Sequence, residues 1–508
     1  MERIWNEFQQ NVFNFVSNQK GNAAVSAVAG SGKTATIVEC AKLLSESNPN
    51  MSILFLAFNK SIATELSEKL SVYTNVNCST LHAHGLKALR IFKPKIDKYA
   101  TYNLGNDCLM QSNVFDIDAK AEYAIPFKSN CVKLYNLARI NLVKTKEIDK
   151  LEELCYMHNI EPIADEVEVI SNLLATAYEL KESGKIDFTD MLTLAVQPFA
   201  KKFIPKYDFI FIDECQDLSA AQRELMLSSL KKDGRFVAVG DRQQAINGFA
   251  GASNDSFDLL ANQPNTIELP LSVNYRCGSK IIELAKDIVP QIIAHDGAID
   301  GEVNHIDNLK NLKVGDMILC RKSAPLISLC LKLLANDTKA YVKGKDLGEG
   351  LKNLIKRLKP KNLSSLFSKL DIEKEKLAKE ILAKNKRLAE SEVSEQPKMI
   401  AFQDKINCLE AIAERVSSIS ELNKKIDSIF DEMNEKNSVC LSTIHKSKGL
   451  EADNVFIVVP DKLPLVWKNQ LDWQYQQEMN LKYVAYTRAK KTLNIVDLDE
   501  SGLKKVEL

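Results

Sequence analysis

The chain has 508 residues, 45% of them hydrophobic, and its 67 Lys and Arg balance 67 Asp and Glu, so more than one well-packed domain is expected and net charge is silent about a polyanionic partner. It has no run of about 18 apolar residues and no basic-then-apolar start after Met1, so neither a membrane span nor a signal peptide is expected. Its 11 cysteines are scattered without a C-x-x-C pair, which argues against zinc or iron–sulfur ligation and for a reducing interior.

The first strong local signal is Ala27-Val28-Ala29-Gly30-Ser31-Gly32-Lys33-Thr34. An apolar run, Ala23 to Val28, precedes it, and a helix-like run, Ala35 to Leu44, follows it. Strand, glycine-rich loop and helix in that order form a phosphate-binding P-loop. The glycines let the backbone N–H groups of Ala29, Gly30, Ser31 and Gly32 approach phosphate oxygens, and the helix adds its positive N-terminus. Lys33 would neutralise the β- and γ-phosphates of a nucleotide, and Thr34 would hold Mg²⁺. The general pattern has Gly at position 27, where this chain has Ala.

Along residues 22–94, Ala24–Ala29, Ile53–Ala57 and Val76–Ser79 read as strands with helices between them, the rhythm of a parallel sheet. Residues 96–184 break that rhythm and read as helices, as in Leu134–Val143 and Glu166–Lys181. The rhythm returns with Phe209–Asp213, Phe236–Gly240 and Thr266–Leu269. A second β-containing block covers 277–350, with Met317–Cys320 as a strand. Residues 360–435 are Lys/Glu-rich and strand-poor and read as helices or a mobile insertion. Val439–Thr443 and Val455–Val459 are strands, and the chain closes with a helix near Gln476–Lys490 and a strand at Leu493–Val496.

The second strong signal is Tyr207-Asp208-Phe209-Ile210-Phe211-Ile212-Asp213-Glu214-Cys215-Gln216-Asp217. A buried strand ending in carboxylates makes sense if a metal waits at its tip. Asp213 would reach the Mg²⁺ of the bound nucleotide, and Glu214 would orient and deprotonate the attacking water. Cys215 sits among acids that raise a thiol pKa, so it reads as structural.

With these and later segments the chain resembles the UvrD/Rep type of superfamily 1 helicases, in the flavour of their compact F-box-helicase-like branch but with no F-box evident. At least seven motifs stand in the family's order over nearly the full length. Trp5-Asn6-Glu7-Phe8-Gln9-Gln10 resembles the Q motif, whose glutamine reads adenine through its carboxamide. Gln9 is the first candidate and Gln10 the alternative. Leu56-Ala57-Phe58-Asn59-Lys60-Ser61 resembles motif Ia, where Phe58 and Asn59 would stack on a base and bond a phosphate. Cys78-Ser79-Thr80-Leu81-His82 resembles motif Ib, with Thr80 and His82 on the DNA backbone. Asp187-Phe188-Thr189-Asp190-Met191-Leu192 resembles the segment that frames the DNA path.

Val239-Gly240-Asp241-Arg242-Gln243-Gln244-Ala245-Ile246-Asn247-Gly248-Phe249 resembles motif III. Gln244 stands at the γ-phosphate sensor and Phe249 at the base-stacking aromatic. Asn247 replaces a usual tyrosine and Ala250 a usual arginine, which puts the DNA coupling, but not hydrolysis, in question. Asn274-Tyr275-Arg276 resembles motif IV, with Tyr275 on adenine and Arg276 on the γ-phosphate. Ser442-Thr443-Ile444-His445-Lys446-Ser447-Lys448-Gly449-Leu450-Glu451 resembles motif V, with Thr443 and His445 on DNA phosphates and Glu451 on the ribose. Tyr483-Val484-Ala485-Tyr486-Thr487-Arg488-Ala489-Lys490 resembles motif VI, with Arg488 as arginine finger.

The resemblance implies an α/β fold of two RecA-like parallel-sheet cores with ATP between them. The first core would comprise 1–95 and 185–275, with a helical insertion at 96–184. The second would comprise 276–350 and 436–508, with a reduced helical insertion at 351–435. It implies an ATP- and Mg²⁺-dependent helicase or translocase acting on single-stranded DNA and DNA junctions, travelling 3′→5′. The pathway would be replication, repair or recombination, with loading proteins as partners. It further implies a soluble intracellular monomer, cytoplasmic in a bacterial or phage-infected cell or nuclear in a eukaryote. An ATPase that strips proteins from single-stranded DNA is the alternative. A non-helicase P-loop enzyme such as a kinase would leave Arg488 and Gln216-Asp217 unexplained.

Overall fold

The computed structural model describes residues 4–57, 59–97, 100–111, 120–157, 160, 165–180, 184–246, 255–384, 389–431 and 437–506. The expected DNA contacts Phe58 and Phe249 lie outside the described residues. The chain divides into two compact units, Met1–Val28 with Gly32–Ser272 and Ala29–Ser31 with Val273–Leu508.

The first unit is built on a six-stranded parallel sheet. Its strands are β1 (Asn22–Ala27), β2 (Ile53–Ala57), β3 (Val76–Thr80), β4 (Tyr207–Ile212), β5 (Leu230–Gly240) and β6 (Thr266–Leu271), in the order β3-β2-β4-β5-β1-β6. The central strands read as unbroken apolar runs because both faces are covered. Ile53 and Phe55 join one core with Phe209 and Phe211, while Leu54 and Leu56 join the opposite core with Ile210 and Ile212. Each of the expected strands is present.

The helices of the 96–184 region have a core of their own, which includes Phe127, Leu134, Ala138, Leu151 and Ile170. Helix Lys120–Ile140 is tied to the sheet-bearing part by Arg139. Its guanidinium, 3% exposed, reaches Asp187 and Asp190 at 2.7 Å each.

The second unit holds another six-stranded parallel sheet. Its strands are β7 (Glu302–Ile306), β8 (Met317–Cys320), β9 (Ala340–Lys343), β10 (Val439–Thr443), β11 (Ala452–Val458) and β12 (Ala489–Val496), in the order β7-β12-β11-β8-β10-β9. The sequence-expected helix Gln476–Lys490 is displaced. It runs Asp472–Tyr486, and Ala489 already pairs with Ala452. The ladder of the sheet takes the residues that helical periodicity had claimed. Helices Lys345–Leu358, Leu363–Lys384, Pro397–Ala413 and Ile419–Ile429 share one apolar core with this sheet, Leu351, Leu366, Leu409 and Ile426 meeting Val342, Leu441 and Val458.

Candidate active site

The site in the first unit forms at the C-terminal ends of the strands, where open parallel sheets bind ligands. Beyond β1 the chain turns through Gly30 and Gly32, both left-handed at φ 63° and 77°, a conformation glycine adopts without strain. Helix Lys33–Ser47 then starts with no side-chain cap, so its first N–H groups are left for an anion. β4 ends in Asp213 and Glu214. Glu214 adopts φ 53°, an uncommon conformation for a side chain with a Cβ. That turn aims its carboxylate at Lys33, Nζ to Oε1 3.8 Å.

A polar chain continues from there. Gln216 Nε2 donates to Glu214 Oε2 at 2.5 Å, and the Gln216 carboxamide oxygen accepts the Asp241 N–H at 3.1 Å. Asp241 in turn accepts from Gln244 Nε2 at 2.8 Å. Gly240 makes this approach feasible, since a Cβ there would lie 2.6 Å from Gln216 Oε1. Lys33, Glu214 and Gln244 are thus brought together by β4, β5 and the P-loop helix.

Asp213 accepts from the Thr34 hydroxyl at 2.5 Å and from the Glu214 N–H at 2.9 Å. Burial pushes its pKa up to about 6, with the Glu214 charge adding to the rise. Asp241 is likewise pushed up to about 6 by burial. A hydroxyl and a buried, reluctantly ionised carboxylate are hard oxygen donors that suit Mg²⁺, which takes one or two protein ligands beside phosphates and water. No cluster of three His, Cys, Asp or Glu able to hold a metal unaided occurs among the described residues.

Gln9 is 1% exposed. Its backbone N–H and side chain form the capping box of helix Glu7–Asn18 with Asn6, and its Nε2 donates to Thr36 Oγ1 at 3.1 Å. Gln10 instead donates to the Trp5 carbonyl at an exposed position.

In the second unit Arg276 Nε meets Glu451 Oε2 at 2.7 Å, and Lys490 reaches the other carboxylate oxygen at 3.2 Å. Burial works to raise the Glu451 pKa, but Arg276 and Lys490 outweigh it and hold it below the usual carboxylate value. Arg488 is 1% exposed and donates to the Val484 and Leu450 carbonyls at 3.1 and 3.0 Å. The backbone therefore places Arg276, Glu451 and Arg488 side by side. Tyr275 is exposed and stacks on His295.

Of the DNA candidates, Asn59 and Thr80 stand at the tips of the neighbouring strands β2 and β3 and cap the helices that follow, accepting from the Ile62 and Ala83 N–H groups. His82 is half-buried, and burial lowers its pKa. Thr443 ends β10 and His445 follows in a 3₁₀ turn. His445 is pushed down to about 3, by burial first and then by Arg321 and Lys446, so it is a neutral hydrogen-bonding group.

Two family models cover most of the chain. The UvrD/REP helicase N-terminal domain matches residues 5–265 and the UvrD-like helicase C-terminal domain residues 336–499. The chain belongs to the UvrD/REP helicase family. Among curated relatives it is 25% identical to "F-box DNA helicase protein 1" of Schizosaccharomyces pombe, over 93% of this chain but 55% of that protein. It is 25% identical to a "Probable DNA helicase II homolog" of Mycoplasma pneumoniae over 94% of this chain and 82% of the relative. It is 26% identical to "ATP-dependent DNA helicase Rep" of Buchnera aphidicola over 54% and 44%. The chain thus spans about half the length of the first of these relatives.

In this UvrD/REP family member three groups that carry no role in the sequence motifs hold other side chains in place. Asp241 carries Gln244, Gln216 holds Glu214, and Arg139 locks Asp187 and Asp190. Asp241 and Gln216 lie inside quoted motifs, so their position at strand ends was a usable signal. Arg139, on a helix 48 residues before Asp187, carries no local signal at all.

Proposed function

We propose that this chain is an ATP-dependent DNA helicase that travels 3′→5′ along single-stranded DNA and couples hydrolysis to strand separation in replication, repair or recombination. The observation that carries this reading is the polar chain running from Lys33 through Glu214 and Gln216 to Asp241 and Gln244. Lys33 would bind phosphate charge. Glu214, held by Gln216, would orient water and take its proton. Gln244, fixed by Asp241, would register whether the γ-phosphate is present. A bound magnesium ion would supply charge compensation at the phosphate oxygens, with Thr34 and Asp213 to hold it. Arg276 and Arg488 are assigned to phosphate charge that develops during transfer. Tyr275 and Gln9 or Gln10 are assigned to the base, and Asn59, Thr80, His82, Thr443 and His445 to DNA, with Phe58 and Phe249. The relatives' names, all DNA helicases, support DNA as the track.

The test is ATP turnover with no nucleic acid, single-stranded DNA, duplex DNA and RNA, for the wild type and Lys33→Ala. Single-stranded DNA should stimulate most, and Lys33→Ala should retain less than about a tenth of turnover, since a buried phosphate cation contributes several kcal/mol. Turnover indifferent to DNA would discard the reading. Duplexes with a single 3′ or 5′ tail test direction: faster unwinding from the 5′ tail would overturn it.

A further inference from the structure

We infer that His295 is a positioning residue for the nucleotide base: it backs Tyr275 and turns a single exposed tyrosine into a two-ring platform. This rests on the reading of Tyr275 as the base-stacking residue. The placement follows from strand register. Val273 and Asn274 pair in parallel with Ile293 and Ala294, and the His295 N–H donates to the Asn274 carbonyl at 3.2 Å. In a parallel ladder, side chains at matched positions point to the same face. The next matched positions are Tyr275 and His295, and their rings stack with centroids 5.3 Å apart and planes 24° apart.

Both rings are held in place from their own side. The Asn274 side-chain oxygen accepts the N–H groups of Arg276 and Cys277, at 2.8 and 2.7 Å, which fixes the turn that presents Tyr275. His295 Nδ1 accepts the Gly297 N–H at 3.0 Å, which fixes the imidazole plane. Glycine at 297 gives the ring its room, for a Cβ there would lie 3.1 Å from His295 Cε1. Tyr275 remains 38% exposed despite this stack. An exposed tyrosine without support samples several rotamers, and a base that stacks on it must restrict them. A ring already held against His295 is ordered before the base arrives, which lowers the cost of binding.

The platform meets ring faces, not edges. His295 should therefore strengthen any purine or pyrimidine nucleotide by a similar factor and leave phosphate binding untouched. His295→Ala should raise KM for ATP about three- to tenfold, the range of an aromatic pair's contribution, with kcat within about twofold, because base stacking is kept from ground to transition state. His295→Phe should restore KM. Inhibition by inorganic tripolyphosphate, which has no base, should be the same in all variants. Tyr275→Ala runs beside them. If Tyr275→Ala leaves KM for ATP unchanged, the base-stacking reading fails and this proposal with it. If Tyr275→Ala raises KM while His295→Ala does not, the supporting role alone is overturned. Should His295→Ala melt early, His295→Leu, with bulk but no ring, is compared with His295→Phe, and equal KM values for the two would overturn the proposal.

Discussion

Gln216 holds Glu214 by a 2.5 Å hydrogen bond from Nε2 to Oε2, and its other carboxamide atom accepts the Asp241 N–H. If Glu214 is the base proposed above, one carboxylate oxygen is thereby restrained, and the restraint originates at Asp241, just beyond β5 and before the 3₁₀ turn that carries Gln244. Gln216→Leu keeps volume but removes both bonds. It should lower kcat about 10- to 100-fold, a mispositioned base rather than a missing one, with little change in ATP affinity. A rapid-quench measurement of the hydrolysis step reads this directly. A kcat equal to wild type would show that Glu214 needs no such restraint.

Glu214 and Asp213 are neighbours with different surroundings, and their amides should differ accordingly. Glu214→Gln should bind ATP and DNA but hydrolyse about 10²- to 10⁴-fold more slowly, as expected for loss of a general base. Asp213→Asn should instead raise the Mg²⁺ concentration needed for half-maximal binding of ADP, since it removes the carboxylate bonded to Thr34. Equal effects of the two changes on Mg²⁺ dependence would refute the division of roles.

Much of this was legible in the sequence because parallel sheets leave strong marks. Val25, Phe55, Phe209 and Val239 are buried on one face and their neighbours on the other, so the central strands are apolar throughout and their polar ends stand out. β7 and β9 left weaker marks. Glu302–Ile306 is an edge strand with no fully buried residue, and Ala340–Lys343 spans four residues. The register that sets Tyr275 beside His295 is a long-range pairing between two-residue strands, below what local pattern can reveal. The Lys/Glu-rich stretch after residue 360 read as helices or a mobile insertion. The helices are there, Leu363–Lys384, Pro397–Ala413 and Ile419–Ile429, and their apolar positions, among them Leu366, Leu409, Leu422 and Ile426, complete the core under the second sheet.

Arg139 should be a stability residue. Its fork joins Asp187 and Asp190 from a buried position. Arg139→Met takes the cation from two part-buried carboxylates, which keep the backbone N–H bonds they accept from each other's residue, and should cost about 3–5 kcal/mol. Arg139→Lys should recover only part, because an ammonium cannot span both acids as the planar guanidinium does. Denaturant midpoints decide, and a loss under about 1 kcal/mol for Arg139→Met would mean the pair is not a structural tie.

His84 should make the first unit acid-sensitive. Its Nε2 lies 2.8 Å from Ser229 Oγ, whose proton goes to the Leu225 carbonyl, so Nε2 carries the hydrogen and the buried Nδ1 has no partner. Burial, with Lys87 adding, pushes the pKa down to about 4. The folded value lies below the unfolded one, so the stabilisation is full above about pH 6.5 and is lost as pH falls toward 4, about 3 kcal/mol in all. His84→Gln, which does not titrate, should flatten the stability profile between those values. An unchanged acid slope would place the loss elsewhere.

Arg488 allows the sharpest separation of structure from chemistry. Its guanidinium is almost wholly buried and holds two carbonyls of its own unit, at Val484 and Leu450. A purely structural arginine in that position would, when removed, leave both carbonyls without their donor and lower stability by about 1–3 kcal/mol for each. ATP turnover, DNA binding and melting temperature would then fall together. An arginine finger would leave binding intact and lower kcat by about 10³-fold or more. Arg488→Lys discriminates best, since it keeps the positive charge but not the fork. It should retain DNA affinity and fold at near the wild-type melting temperature, yet still lose most of kcat. Melting temperature, single-stranded DNA affinity and kcat, measured on one preparation of Arg488→Lys, decide the matter. A drop in melting temperature with a matching loss of DNA affinity would assign Arg488 to structure and leave Arg276 as the arginine of the second unit to test for contact with the γ-phosphate.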